Sequence, residues 1–252
     1  MTILCYHAVD PGWESPLSIR PEELEAHCRW IARRRTVLPL AEAVGRMDRQ
    51  GRLPRGTAAL TFDDGFVDNL SRGWPILQRH GLPMTVFLVA QTLTDEGLGV
   101  HWVRTPPAWP LETLSTDQVL EMQEAGVDFQ SHSWAHRDLP ELGFSECVDD
   151  LRRSREFLED LLHKPIPFLA YPRGLHDERV RQAAEQAGYS HAFALPEGPE
   201  DPGPFAVPRV GIHRGNKAAV LAVKSSRAYL TVRHGRVGAG ARSVLRRLRQ
   251  RA

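Results

Sequence analysis

What this chain of 252 residues lacks narrows its class before anything it contains. It has only three cysteines, Cys5, Cys28 and Cys147, an odd and scattered set that forms neither a disulfide framework nor a CxxC knuckle. They read as small buried apolar residues in a reducing compartment. Long apolar runs are missing, and nothing approaches the roughly 20 residues of a membrane span. The opening MTILCYHAVD has no basic stretch, and Ile3-Leu4-Cys5-Tyr6 is too short for a secretory signal. The expectation is a soluble, cytoplasmic protein. No glycine-rich dinucleotide fingerprint follows a strand signal, and no G-x-S-x-G elbow surrounds Ser133.

Acidic residues are also missing from one part of the chain. Asp201 is the last of them, and the stretch from Pro202 to Ala252 carries 12 Lys/Arg and a formal charge of +12. The first 201 residues hold 20 basic and 31 acidic side chains, or −11, so the net +1 hides an asymmetry. Such a block meets solvent or the acidic body of its own chain in the simplest reading. Weak contact with an anionic membrane is the second, at about 1 kcal/mol per basic residue near the surface. Nucleic acid is not expected, because the tail has few aromatics for stacking.

What is present is ordinary globular composition, 42% hydrophobic and 25% charged, enough for a core without staples. Apolar strand signals at 2–7, 56–62, 84–89, 127–131, 168–171, 190–195 and 205–212 alternate with helical ones. The helices are expected over 20–34, 40–51, 67–80, 115–125, 145–162 and 177–187, with Ser115 as an N-cap and Gly126 and Gly188 as stops. About seven strand–helix units predict an α/β fold with a parallel sheet closed into a barrel rather than a flat sheet.

Three polar clusters each follow a strand: Asp63-Asp64 after Phe62, His132 and His136 after Ser131, and Tyr171-Pro172-Arg173-Gly174 after Ala170. In parallel α/β folds ligands bind at the carboxyl ends of the strands, so the three should converge. The paired carboxylates point to different sides of a strand end, one toward a metal and one toward a reacting water. Alone, the Asp-Asp-Gly reads equally as an Asx turn or a helix cap. His132 and His136 are spaced to lie on one face of a helical turn and grip one ion. With Asp64 they make a two-histidine, one-carboxylate set suited to zinc or another first-row divalent ion.

Together the TFDDG at 61–65, the SHSWAH at 131–136 and the AYPRG at 170–174 resemble the polysaccharide deacetylase family, the NodB-homology group akin to carbohydrate esterase family 4. The resemblance covers roughly residues 1–213 and leaves a basic extension, a peripheral helix or tail, over 214–252. It implies a distorted (β/α) barrel of about seven parallel strands. It also implies removal of an acetyl or formyl group from the nitrogen of an amino sugar, free or within a glycoconjugate. Residue by residue, it makes Asp63 the general base and Asp64, His132 and His136 ligands of a divalent metal, zinc first, with Co, Ni, Fe and Mn as others. The metal would polarise the amide carbonyl and acidify water. The backbone N–H of Arg173 would face the oxyanion, with Tyr171 and Pro172 shaping the same wall.

The chain also departs from the family pattern. Ala170 stands where many members carry an arginine that braces the base, and Arg173 replaces a frequent aromatic. The Asp…Trp motif has no counterpart after Tyr189. The general acid is assigned to His213, with His7 as a second candidate because it too ends a strand. Trp102, Trp109 and Trp134 fall in or near the loops around the expected site. Two other readings stand beside this one: a hydrolase of non-sugar amides, and an inactive metal-containing sugar-binding scaffold.

Overall fold

Short, nearly continuous apolar runs build strands that bury both faces, and the connecting helices cover the outside. The computed structural model describes residues 2–51, 55–196, 203–226 and 229. In chain order the elements are β1 (Thr2–Tyr6), β2 (Ala8–Val9), β3 (Ser18–Ile19), α1 (Pro21–Arg34), β4 (Thr36–Val37), α2 (Leu40–Gln50), β5 (Thr57–Phe62), α3 (Trp74–Arg79) and β6 (Thr85–Leu88). Then come α4 (Thr116–Glu124), β7 (Asp128–Ser131), α5 (Phe144–Leu162), β8 (Phe168–Ala170), α6 (Glu178–Gln186), β9 (His191–Ala194), β10 (Val207–Gly211) and α7 (Ala218–Lys224). No helix among the described residues is long and apolar enough to cross a membrane.

Seven parallel strands close a barrel in the order β1-β10-β9-β8-β7-β6-β5, with β5 pairing back to β1 along its length. The distortion lies at β5. Its lower half pairs with β4 (Thr36↔Thr57), and only its upper end pairs with β6 (Thr61↔Thr85, Phe62↔Val86). β4 thus wedges into the seam below the point where the site forms.

Alternation sorts the strand side chains. Leu4, Tyr6, Leu60, Phe62, Val86, Leu88, Phe129 and Leu169 pack in the layer shared with the helices. Ile3, Ala59, Phe87, Phe168, Ala170, Phe193 and Val207 form a separate cluster that plugs the barrel. Each large apolar side chain so buried contributes about 1.5–3 kcal/mol. The positions continuing the inner register upward are Cys5, Thr61, Asp63 and Arg209, which touch one another at the carboxyl end.

The helix starts follow local chemistry. The Ser115 Oγ accepts from the Gln118 N–H, whose side chain returns to the Ser115 N–H, and Asp177 accepts from Val180 N–H at 2.8 Å. One expected element is different. The helix read over 67–80 is a π-helical turn at Asn69–Gly73 followed by the short α3. Pro75 lies at its start, and a proline inside one continuous helix would remove a hydrogen bond and clash with the preceding turn.

Of the extension beyond residue 213, α7 packs on the barrel. Leu221 is buried in the core and the Thr2 hydroxyl donates to Ser225 O at 3.0 Å. Residues 230–252, with most of the basic block, lie outside the described residues.

Candidate metal centre and active site

At the end of β5, Asp63 N–H donates to Tyr6 O at 2.9 Å, continuing the ladder by one residue. The chain then turns through left-handed backbone at Asp64 (φ 71°) and Gly65 (φ 66°). A Cβ at residue 65 would stand 2.7 Å from Leu88 Cδ2, so glycine there serves both the turn and the close approach. The turn separates the two carboxylates. Asp63 continues the inner register of β5, and Asp64 swings over the rim.

His132 follows β7 and donates its backbone N–H to Leu88 O at 2.7 Å. Its Nδ1 lies 2.8 Å from Ala170 O, which makes Nδ1 the protonated nitrogen and leaves the Nε2 lone pair for the site. His132 Nε2 and His136 Nε2 stand 3.5 and 3.3 Å from Asp64 Oδ1. The helical turn expected over 132–136 is absent. An irregular loop with Ser133 (φ 68°) and His136 (φ 53°) in left-handed backbone brings the rings together instead, held by His136 N–H to Ser133 Oγ at 3.1 Å. Among the described residues, four of the five non-glycine residues with positive φ, Asp64, Ser133, His136 and Arg173, lie on these site loops. Each costs about 1–3 kcal/mol, so the surrounding packing holds strain at the site.

The donor set fits a divalent cation. One ligand atom from each of Asp64, His132 and His136 lies within 4.8 Å of the others, all buried. His136 Nδ1 is buried with no hydrogen-bond partner among the described residues. Burial, reinforced by His136 and Arg209, lowers the His132 pKa to about 4 against the pull of the carboxylates. The ring is therefore neutral, as a ligand must be. Burial opposes ionisation of Asp64, but His136, above all through its hydrogen bond and then with smaller help from His7 and His132, outweighs it and the pKa falls. Trp102, which earlier had only a loop position, stacks on His136 at 4.8 Å and donates its Nε1–H to Asp64 Oδ1 at 3.1 Å.

Asp63 has a different partner, one that the sequence reading missed. Arg209, in the middle of β10 and fully buried, forks onto it with Nη1–Oδ1 at 2.6 Å and Nη2–Oδ2 at 2.7 Å. The same guanidinium donates to Thr61 Oγ1 at 3.2 Å and lies over the Phe87 ring. Burial would raise the Asp63 pKa, but Arg209, aided by His132, holds it well below the usual carboxylate range. The arginine absent at Ala170 is therefore supplied from another strand. The signal was an arginine inside the apolar run Val207–Ile212, since a charged residue is almost never fully buried unless paired. Cys5 completes the shelf, its thiol donating to Asp63 Oδ2 at 3.3 Å. Desolvation raises the pKa of that thiol well above its ordinary value.

The remaining expected residues separate. His7, just past β1, has a ligand atom within 4.8 Å of those of Cys5 and Asp63. His213 stands on the exposed loop after β10, its ring against Gly211 and its Nδ1 3.3 Å from Pro16 O. Arg173 lines the open cleft together with His101, Trp102, His136 and Asp138. It pairs with Asp138 at 3.0 Å and donates to Trp102 O at 3.1 Å. Pro172 is buried beneath that turn. Tyr171 is a correction. Its ring belongs to the outer layer, stacked on His176 with its hydroxyl donating to Phe205 O at 3.0 Å, so it does not shape the pocket wall. The cause is β8 register, which turns residues 169 and 171 outward. Trp134 is likewise turned away, under Arg153 and against Phe157, and Trp109 is 46% exposed beside Gly12.

The family model for polysaccharide deacetylase matches residues 50–192. YxkH of Bacillus subtilis (strain 168), provisionally named a polysaccharide deacetylase, is 26% identical over 220 residues, covering 85% of this chain and 72% of its own. The poly-beta-1,6-N-acetyl-D-glucosamine N-deacetylase of Staphylococcus epidermidis is 25% identical over 205 residues, 77% of this chain and 67% of that one. Among solved structures, the deacetylase PplD of Streptococcus pyogenes, in complex with acetate, superposes with a TM-score of 0.75. It is 23% identical over 90% of this chain and 98% of that chain, a likeness of fold.

Proposed function

The chain belongs to the polysaccharide deacetylase family, and from that premise we propose that it hydrolyses the N-acetyl group of an N-acetylated amino sugar in a glycan, at the cleft above Asp63 and Asp64. The observation that carries the reading is the pairing of an ionised, arginine-held Asp63 with an adjacent two-histidine, one-carboxylate set. Asp64, His132 and His136 would hold a divalent metal, zinc first by donor type. That ion would supply electrophilic polarisation of the amide carbonyl and increase the acidity of water in the cleft.

The chain's own residues do the rest. Asp63, with both oxygens fixed by Arg209, accepts the proton of the attacking water. Because the guanidinium holds the carboxylate in one orientation, no reorganisation is needed when the proton moves. His7 donates a proton to the departing sugar nitrogen, a role that suits its place beside Asp63 better than the exposed His213. Water is consumed, and the amide becomes a free amine and acetate. Arg173 and Trp102 border the cleft where the sugar would rest.

The name of the staphylococcal relative makes β-1,6-linked N-acetylglucosamine oligomers the first substrates to try. Acetate release and new primary amines should appear together with these or with β-1,4-linked oligomers. A metal-loaded chain that releases neither acetate nor formate from a broad panel of N-acyl sugars would overturn the reading. Turnover of simple non-sugar amides, assayed beside that panel, would replace it.

A further inference from the structure

A second group of metal-binding side chains sits beside the first and shares no residue with it. One ligand atom from each of Cys5, His7 and Asp63 lies within 4.8 Å of the others. We propose that these three form an inhibitory site for a thiophilic divalent cation, Cd²⁺ or excess Zn²⁺, which disables the base without touching the Asp64–His132–His136 set. The Cys5 Sγ to Asp63 Oδ2 separation is 3.3 Å. A tetrahedral zinc site with one sulfur and one oxygen ligand has that edge at about 3.5 Å, so little movement is needed.

The backbone explains the cluster. Cys5 and His7 are two residues apart at the upper end of β1, on the same side, and β5 pairs with β1 in register through Tyr6 and Phe62. His7 is only partly buried, which gives an ion a path from the mouth of the barrel, and its Nδ1 has no hydrogen-bond partner among the described residues. Asp63 Oδ2 already receives Arg209 Nη2 and the Cys5 thiol. The entering ion takes the place of the thiol proton: M²⁺ and Cys5–SH give M–S–Cys5 and H⁺, with no change of oxidation state. One positive charge is added next to Arg209. Only a cation with real affinity for sulfur overcomes that, which excludes Mg²⁺ and Ca²⁺ and makes the site weaker than the first. With Asp63 and His7 both engaged, neither proton transfer can proceed.

The test uses the full chain and cadmium alone. Equilibrium dialysis should find a second, weaker Cd²⁺ in the wild type, its binding accompanied by the near-ultraviolet charge-transfer band of a cadmium thiolate. The band should persist in Cys28→Ala/Cys147→Ala and vanish in Cys5→Ala, which should bind one ion. If Cys5→Ala does not fold by circular dichroism, the nearly isosteric Cys5→Ser serves in its place. A single ion in the wild type, or a thiolate band that survives loss of Cys5, overturns the proposal. These readouts need no substrate, so they stand even if the chain deacetylates nothing offered. Where turnover is measurable, inhibition by excess Cd²⁺ should weaken at least tenfold in the Cys5 variant.

Discussion

Asp63 and Asp64 are neighbours in sequence, yet they belong to two differently built halves of the site. The lower half is made of strands. Asp63, Thr61, Cys5 and Arg209 stand on regular β backbone or one residue beyond it, and they are held by a guanidinium fork. The upper half is made of loops. Asp64, His136 and Arg173 sit in left-handed backbone and are held by stacking, single hydrogen bonds and the partly exposed Arg173–Asp138 pair. The base proposed for Asp63 would have to stay ionised and still, and buried strands with a buried cation hold a carboxylate that way. The proposed ligand set converges from distant strand ends, and irregular backbone turns its three side chains toward one point.

The largest effect should come from severing the two halves chemically. Asp63→Asn should lower turnover by about 10²–10⁴, the range of a positioned base, while metal content stays at the wild-type level. His132→Ala should lose both. Parallel acetate-release assays and metal analysis check this, and full activity in Asp63→Asn would remove the base from the mechanism. Next in size, Arg209→Met leaves a buried carboxylate without its cation. Breaking a buried pair in this way costs about 3–5 kcal/mol, read as a lower urea midpoint at neutral pH. Arg209→Lys keeps the charge but loses the fork, and should recover only part of the loss.

In the upper half, Trp102→Phe keeps the stack on His136 and removes the hydrogen bond to Asp64. Metal affinity should fall about tenfold, the low end for such supporting contacts, with little change in thermal stability. A change confined to stability would mean Trp102 is only packing.

A third carboxylate sharpens the contrast. Asp68 is buried five residues after Asp63 but lacks a buried arginine fork, and its best contact is the Val9 N–H at 2.9 Å. Burial, with Asp10 adding to it, pushes its pKa up to about 7. The folded state therefore holds a proton that the unfolded chain, with a carboxylate pKa near 4, has released. Stability from this group is present below about pH 4 and is lost as pH rises toward 7. Asp68→Asn should flatten that part of the stability profile, measured by urea unfolding at several pH values. An unchanged slope would show that Asp68 is ionised in the folded chain.

Much of this could be read without a structure because it is local. The period of apolar residues located the seven strands, the Ser115 and Asp177 starts located helices, and three polar clusters followed three strands. Arg209 was legible as a strand residue but not as a partner, since Asp63 lies 146 residues away and the two meet only through barrel closure. Tyr171 was misread because a motif's position does not tell which side of β8 a side chain leaves. The helical turn expected for His132–His136 failed because spacing of four allows several backbones, and the pull of Ser133 and packing under Trp102 selected a left-handed one.

The sequence by itself determined that strands and helices alternate, that carboxylates and imidazoles gather at one end of a parallel barrel, and that a basic block ends the chain. These follow from side-chain type and period, which act over a few residues. Only the tertiary structure decided which arginine serves Asp63, which histidine stands beside it, and which aromatic faces the ligand set. Those are contacts between strands far apart in sequence, and their pairing exists only once the sheet has closed on itself.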